Sequence, residues 1–270
     1  MKDQVTAQFI HTYRGDLHYA KYGNGHEILL IFHGFGQSHE IATSFAIQLM
    51  DSHTIYSFDL PHHGKSDWQE SKSILTKLEM KEIFTDWIIQ KNINKFSVLG
   101  YSMGGKIAIT LAEMFPKQVS HLVLVAPDGL YKSYWYQVAT SWPIDVLFRR
   151  TIDNPNFYFR FTKQLRKTSL IPDKLIQFAE SQMATRKLRA MVYYNWYNFQ
   201  KLFIDRTLIK NNINSMKLRA RLVVGINDSI IKPSLVIPIV EDLGFQIVRL
   251  DAGHAKVLDL AAENIEDYLK

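Results

Sequence analysis

The sequence predicts an α/β fold: a mostly parallel, eight-stranded sheet with helices on both faces and a helical cap inserted before its last two strands. Three observations predict it. Over the first 126 residues, short apolar runs alternate with runs of helical period, the pattern of parallel strands joined by crossover helices. That alternation stops at Pro127-Asp128-Gly129 and resumes only at Arg221. The interval 129–212 holds 14 Lys and Arg against 5 Asp and Glu, and 17 of the 34 aromatic residues, so its composition sets it apart. The expected organisation is therefore a core from 1–128 and 213–270, with a helical cap from 129–212.

The elements follow in order. Ala7 to Tyr13 and Asp16 to Tyr22 read as strands around the turn Arg14-Gly15. Glu27 to Phe32 is almost wholly apolar, as a strand buried on both faces should be. Ser38 to Met50 has helical spacing, Thr54 to Phe58 is the next strand, and Lys77 to Gln90 is an amphipathic helix. Strand Phe96 to Leu99, helix Met103 to Phe115 and strand Leu122 to Ala126 complete the first part. The middle is helical only, cut by Pro143, Pro155 and Pro172. Strand Arg221 to Gly225, helix Lys232 to Leu243, strand Gln246 to Leu250 and a helix from Ala255 to Tyr268 close the chain.

Composition narrows the function classes. With 270 residues, 47% of them hydrophobic, the chain can bury a large core and is neither fibrous nor disordered. The absence of cysteine excludes disulfides, thiolate metal sites and a cysteine nucleophile. No apolar run reaches membrane-spanning length, and the polar start Met1-Lys2-Asp3-Gln4 leads to no signal segment, so a cytoplasmic location is expected. The net charge of +6 is not gathered into a nucleic-acid-binding module, and no nucleic-acid partner is expected.

Chemistry enters at Gly100-Tyr101-Ser102-Met103-Gly104. G-x-S-x-G alone is modest evidence, since a chain this long carries one by chance in roughly one case in ten. Its setting sharpens it, because it ends a predicted buried strand and opens a predicted helix. There a sharp turn would lift the serine hydroxyl above the sheet edge, with small residues required two before and two after it. A serine hydroxyl needs a base, and Asp251-Ala252-Gly253-His254 follows the last strand. The base needs an acid to hold it. Asp228 follows the strand ending at Gly225, and Asp128 is the rival at the end of an earlier strand. Two backbone donors for an oxyanion are expected from Met103 and from Phe35 in His33-Gly34-Phe35-Gly36.

Together with Asp59-Leu60-Pro61-His62-His63-Gly64-Lys65-Ser66, these motifs resemble, in order, the landmarks of the α/β-hydrolase fold superfamily in its cap-bearing branch. They span nearly the whole chain. The resemblance implies a helical lid lining the pocket, and a structural role for Asp59, His62 and His63 beneath it. One departure is that His62 occupies the family's usual glycine position.

A serine nucleophile, rather than the carboxylate of haloalkane dehalogenases and epoxide hydrolases, points to acyl transfer. The leading expectation is thus a serine esterase cleaving a carboxylic ester or related acyl bond, needing neither metal nor organic cofactor. The aromatic, basic cap suggests a small-molecule substrate that is anionic, aromatic or acyl. Lys106, Trp135, Trp142, Tyr194 and Trp196 are its candidate contacts. Contact of the lid with an anionic membrane surface is a lesser reading of the same segment. The alternative function is non-hydrolytic: a lyase or carbon–carbon bond enzyme similar to the menaquinone-pathway SHCHC synthase, or a receptor-like binder. Lys106 replaces that synthase family's arginine, and Ala255 replaces the tryptophan frequent after the histidine in carbon–carbon bond hydrolases.

Overall fold

Unbroken apolar runs become the central strands because both of their faces are covered. In Leu29–Phe32 and Leu122–Val125 every residue is fully buried. The structure is a computed structural model that describes residues 7–132, 134–168 and 173–270. Its strands are β1 (Ala7–Thr12), β2 (Gly15–Tyr22), β3 (Glu27–Phe32), β4 (His53–Phe58), β5 (Asp67–Trp68), β6 (Phe96–Tyr101), β7 (Val119–Val125), β8 (Arg219–Gly225) and β9 (Gln246–Leu250). Eight run in the order β1-β2-β4-β3-β6-β7-β8-β9, and the two-residue β5 pairs with β2 at the side. The β1–β2 hairpin and its joint to β4 are antiparallel. From β4 to β9 every pairing is parallel, so the loops after β3, β6, β7, β8 and β9 all leave at one edge.

Two compact units make up the chain. One takes the residues up to Trp68, Leu75–Tyr131 and Lys201–Lys270; the other takes Gln69–Ile74 and Lys132–Gln200. In the first lie α1 (Ala42–Leu49), α2 (Lys77–Gln90) and α3 (Gly104–Met114). The second holds α4 (Tyr134–Thr140), α5 (Ile144–Arg150), α6 (Asn156–Thr168), α7 (Asp173–Gln182) and α8 (Arg186–Asn198). The first resumes with α9 (Arg206–Met216), α10 (Pro233–Glu241), α11 (Lys256–Glu263) and α12 (Ile265–Tyr268). The second unit has a core of its own, Ile152, Ala190, Tyr193 and Tyr194, with Phe148 and Tyr197 packed against it. Its Arg189 is buried yet satisfied, donating to the carbonyls of Ile152 (2.9 Å) and Met183 (3.0 Å).

The helical segment expected at 129–212 is longer than this second unit. Residues 201–212 belong with the sheet, for side-chain reasons that composition does not carry. The Asn212 amide donates to Ala112 O (3.1 Å) and the Asp205 N–H to the buried Glu113 carboxylate (2.6 Å), fastening α9 to α3. The helix expected over Ala255 to Tyr268 is broken at Asn264, the C-cap of α11 and N-cap of α12.

Candidate active site

Ser102 lies at the tip of the turn between β6 and α3, with φ of 49°. A left-handed backbone at a non-glycine residue costs about 1–3 kcal/mol and persists only where the surroundings enforce it. Here Ser102 N–H donates to Val125 O (3.0 Å), while Ser102 O accepts from Gly105 N (2.9 Å) and Asp128 N (2.8 Å). The flanking glycines make the turn sterically feasible. A Cβ on Gly104 would sit 2.1 Å from Phe32 O, and one on Gly100 would sit 2.6 Å from Gly104 O.

His254 stands between β9 and α11, and its Nε2 is 3.0 Å from the Ser102 hydroxyl oxygen. Its Nδ1 is 2.7 Å from Asp228 Oδ2. That carboxylate assigns the ring proton to Nδ1 and leaves the Nε2 lone pair facing the serine. The Asp228 side chain is fully buried after β8, and its other oxygen accepts from Ile230 N (2.8 Å) and Ile231 N (2.9 Å). Three bonds on one carboxylate leave it little freedom to turn. The acid and base loops are also tied to each other, through Asn227 N to Ala252 O (3.1 Å) and the Asn227 amide to Asp251 (2.7 Å).

Asp128, the rival acid, is engaged elsewhere. Its Oδ1 accepts Gly129 N–H (2.7 Å), and its Oδ2 lies 3.5 Å from the Lys106 ammonium. Lys106 is itself 1% exposed. It donates to Leu202 O (3.4 Å) and lies 3.9 Å from the centre of the Phe203 ring. Burial pushes its pKa below the usual lysine value, partly offset by Asp128. This expected substrate contact is therefore occupied by partners within the sheet unit.

Phe35 and Met103 each stand three residues beyond the paired positions Phe32 and Gly100, on the loops that leave the adjacent, parallel strands β3 and β6. Met103 heads α3, and Phe35 sits in the turn after β3 just before Gly36, whose φ is 75°. The turn is held from below by His33, which is fully buried. Its Nε2 accepts Leu60 N–H (2.9 Å), so its Nδ1 donates to Gly34 O (2.6 Å). Burial depresses its pKa to about 3, with the neighbouring His63 adding to the effect.

Of the candidate contacts in the second unit, Tyr194 belongs to that unit's core, and Trp196 stacks edge-on to Phe148 at 5.8 Å. Trp142 is 82% exposed, and the side chain of Trp135 lies outside the described residues.

Among the described residues, His18, His39 and Asp59 have donor atoms close enough to hold a metal ion. The carboxylate is already saturated. It accepts His39 N (2.6 Å), Lys65 N (2.9 Å) and His18 Nδ1 (2.7 Å), with His39 Nδ1 at 3.1 Å. Burial alone would raise the Asp59 carboxyl, but the hydrogen bonds from His39 and Lys65 outweigh it and hold it well below the usual range. The cluster is a staple joining β2 to the loops after β3 and β4, which fits a structural role for Asp59.

Sequence reasoning passed over the Ile230 and Ile231 amides, the Asn227–Asp251 tie and Tyr101, whose hydroxyl donates to the backbone carbonyl of His254 (3.0 Å). The backbone donors have no sequence signal. Tyr101 occupies the unspecified second position of its motif.

Comparison with known proteins gives three findings. The sequence model described as alpha/beta hydrolase fold matches residues 27–256. The chain is 27% identical over 261 residues to Lipase 1 of Psychrobacter immobilis, covering 93% of this chain and 78% of the lipase. It is 24% identical over 128 residues to putative esterase/lipase 2 of Mycoplasma genitalium, covering 47% of this chain and 46% of that protein. The chain spans only 23% to 48% of the length of several other curated relatives and of that one. A solved thermophilic esterase from Thermogutta terrifontis superposes with a TM-score of 0.72 over 98% of each chain, at 18% identity.

Proposed function

The chain belongs to the alpha/beta hydrolase fold family, and we propose that it is a serine hydrolase that cleaves carboxylic esters of small molecules through an acyl-enzyme. The observation that carries this reading is the relay from Asp228 to His254 to Ser102, at 2.7 and 3.0 Å. The serine hydroxyl attacks the ester carbonyl as His254 Nε2 takes its proton, and buried Asp228 steadies the resulting imidazolium. The Phe35 and Met103 amides receive the charge that develops on the carbonyl oxygen. His254 then protonates the departing alcohol, and water activated by the same imidazole releases the acid. The esterase and lipase names among the relatives support an ester substrate, and the left-handed Ser102 supports a nucleophile held for attack.

The test is direct. A fluorophosphonate is expected to label wild-type protein at Ser102, and p-nitrophenyl esters of short acids are expected to turn over. Ser102→Ala abolishes both. Folded wild-type protein that neither labels nor hydrolyses these esters contradicts the reading.

A further inference from the structure

The residue before the nucleophile touches three parts of the site at once. Tyr101 is 4% exposed at the end of β6, so its side chain is fixed by its surroundings. Its hydroxyl donates to the backbone carbonyl of His254 at 3.0 Å. Its ring lies 5.3 Å from the His254 imidazole, tilted by 32°. On another side it meets the loop after β3: a Cβ on Gly34 would come within 3.0 Å of Tyr101 Cδ1 and Cε1. The loop that supplies Phe35 is therefore pressed against this ring, and only a glycine at position 34 fits without displacement.

We propose that Tyr101 is the positioning residue that sets the mutual register of nucleophile, base and oxyanion loop, an inference that rests on the proposed hydrolase reading. Two effects are separable. The hydroxyl fixes the backbone of the base, keeping Nε2 in line with the Ser102 oxygen. The ring lies beside the imidazole, where its π-electrons stabilise the cation formed when His254 accepts the serine proton. Burial, with Asp228 and Asp259 adding to it, pushes the phenol pKa upward. The hydroxyl thus stays a donor across the whole range in which an esterase is assayed.

Tyr101→Phe and Tyr101→Leu separate these effects. Tyr101→Phe keeps the ring and loses one hydrogen bond; kcat is expected to fall about fivefold with KM within twofold of wild type. Its acid limb in the kcat/KM profile stays in place. Tyr101→Leu also removes the ring, and the protonated base loses its neighbouring π face. The acid limb then moves to lower pH by about half a unit, with a larger loss in kcat. A second readout needs no turnover: the low-field proton signal of His254 Nδ1–H, identified by its loss in His254→Ala, broadens in both variants. Variants that melt earlier yet keep wild-type kcat, pH profile and proton signal would overturn the proposal and leave Tyr101 a packing residue. An unlabelled, inactive wild type with the proton signal still dependent on Tyr101 would instead sink the hydrolase reading alone.

Discussion

The sequence singled out Ser102, His254 and Asp228 because the expected chemistry restricts which residue types can serve and the fold restricts their order along the chain; the structure brings their side chains within 3.0 and 2.7 Å of one another. The choice between Asp228 and Asp128 was not legible, since both follow strands at the same edge; side-chain direction separates them. Asp228→Asn is therefore expected to lower kcat by about 10³–10⁴-fold, because the amide disfavours the ring tautomer that leaves Nε2 free. Asp128→Asn removes only the partner of a buried lysine and should change kcat less than about tenfold in the same ester assay. Lys106→Met tests the cationic-pocket expectation. The ammonium already has Asp128, Leu202 O and Phe203. KM for an anionic ester should thus change no more than KM for a neutral one, and a selective rise for the anionic ester would restore Lys106 as a substrate contact. At His62 the sequence departs from the family's glycine, yet φ is 65°, so the backbone keeps the left-handed shape that glycine adopts freely.

Elements were read best where packing and local preference agree. The apolar strands β3 and β6 fall within two residues of their expected ends, and α2 spans Lys77–Gln90 as its period indicates. At α2 a capping box is complete: the Thr76 hydroxyl accepts Glu79 N–H (3.2 Å), and the Glu79 carboxylate accepts Thr76 N–H (2.8 Å). Glu79 also accepts from Tyr13 and Arg14, so the cap anchors the turn between β1 and β2 as well. Thr76→Ala is expected to cost about 1 kcal/mol and to lower the melting temperature by about 2–4 °C, measured by calorimetry with activity unchanged. The two-residue β5 escaped the sequence because so short a strand has no period to detect. The end of the inserted unit escaped it because Glu113, Asp205 and Asn212 recruit a basic helix to the sheet through individual hydrogen bonds, which average composition does not record.

At the scale of the molecule, the charge asymmetry seen in the sequence follows the two units: the second holds 12 Lys and Arg against 5 Asp and Glu, and the first 20 against 21. Among the described residues, no helix is long and apolar enough to cross a membrane. Buried histidine then sets how the fold answers to acid. His33 is wholly inaccessible, and burial, with the neighbouring His63 adding to it, depresses its pKa to about 3; the neutral ring keeps Nε2 a bare acceptor for Leu60 N–H. In the unfolded chain the same ring titrates near its ordinary value of about 6.5. Between those two values the unfolded state binds a proton that the folded state refuses, so stability falls as pH falls. The contribution is intact above about pH 6.5, and from pH 7 to pH 5 His33 alone removes about 2 kcal/mol. His62, depressed by burial to about 4, acts in the same direction. The unfolding free energy from urea titration should therefore drop by about 2 kcal/mol or more between pH 7 and pH 5. A curve that stays flat over that interval would mean that His33 accepts a proton in the folded protein. The loop carrying Phe35 would then have to rearrange, because protonated Nε2 can no longer receive the Leu60 amide.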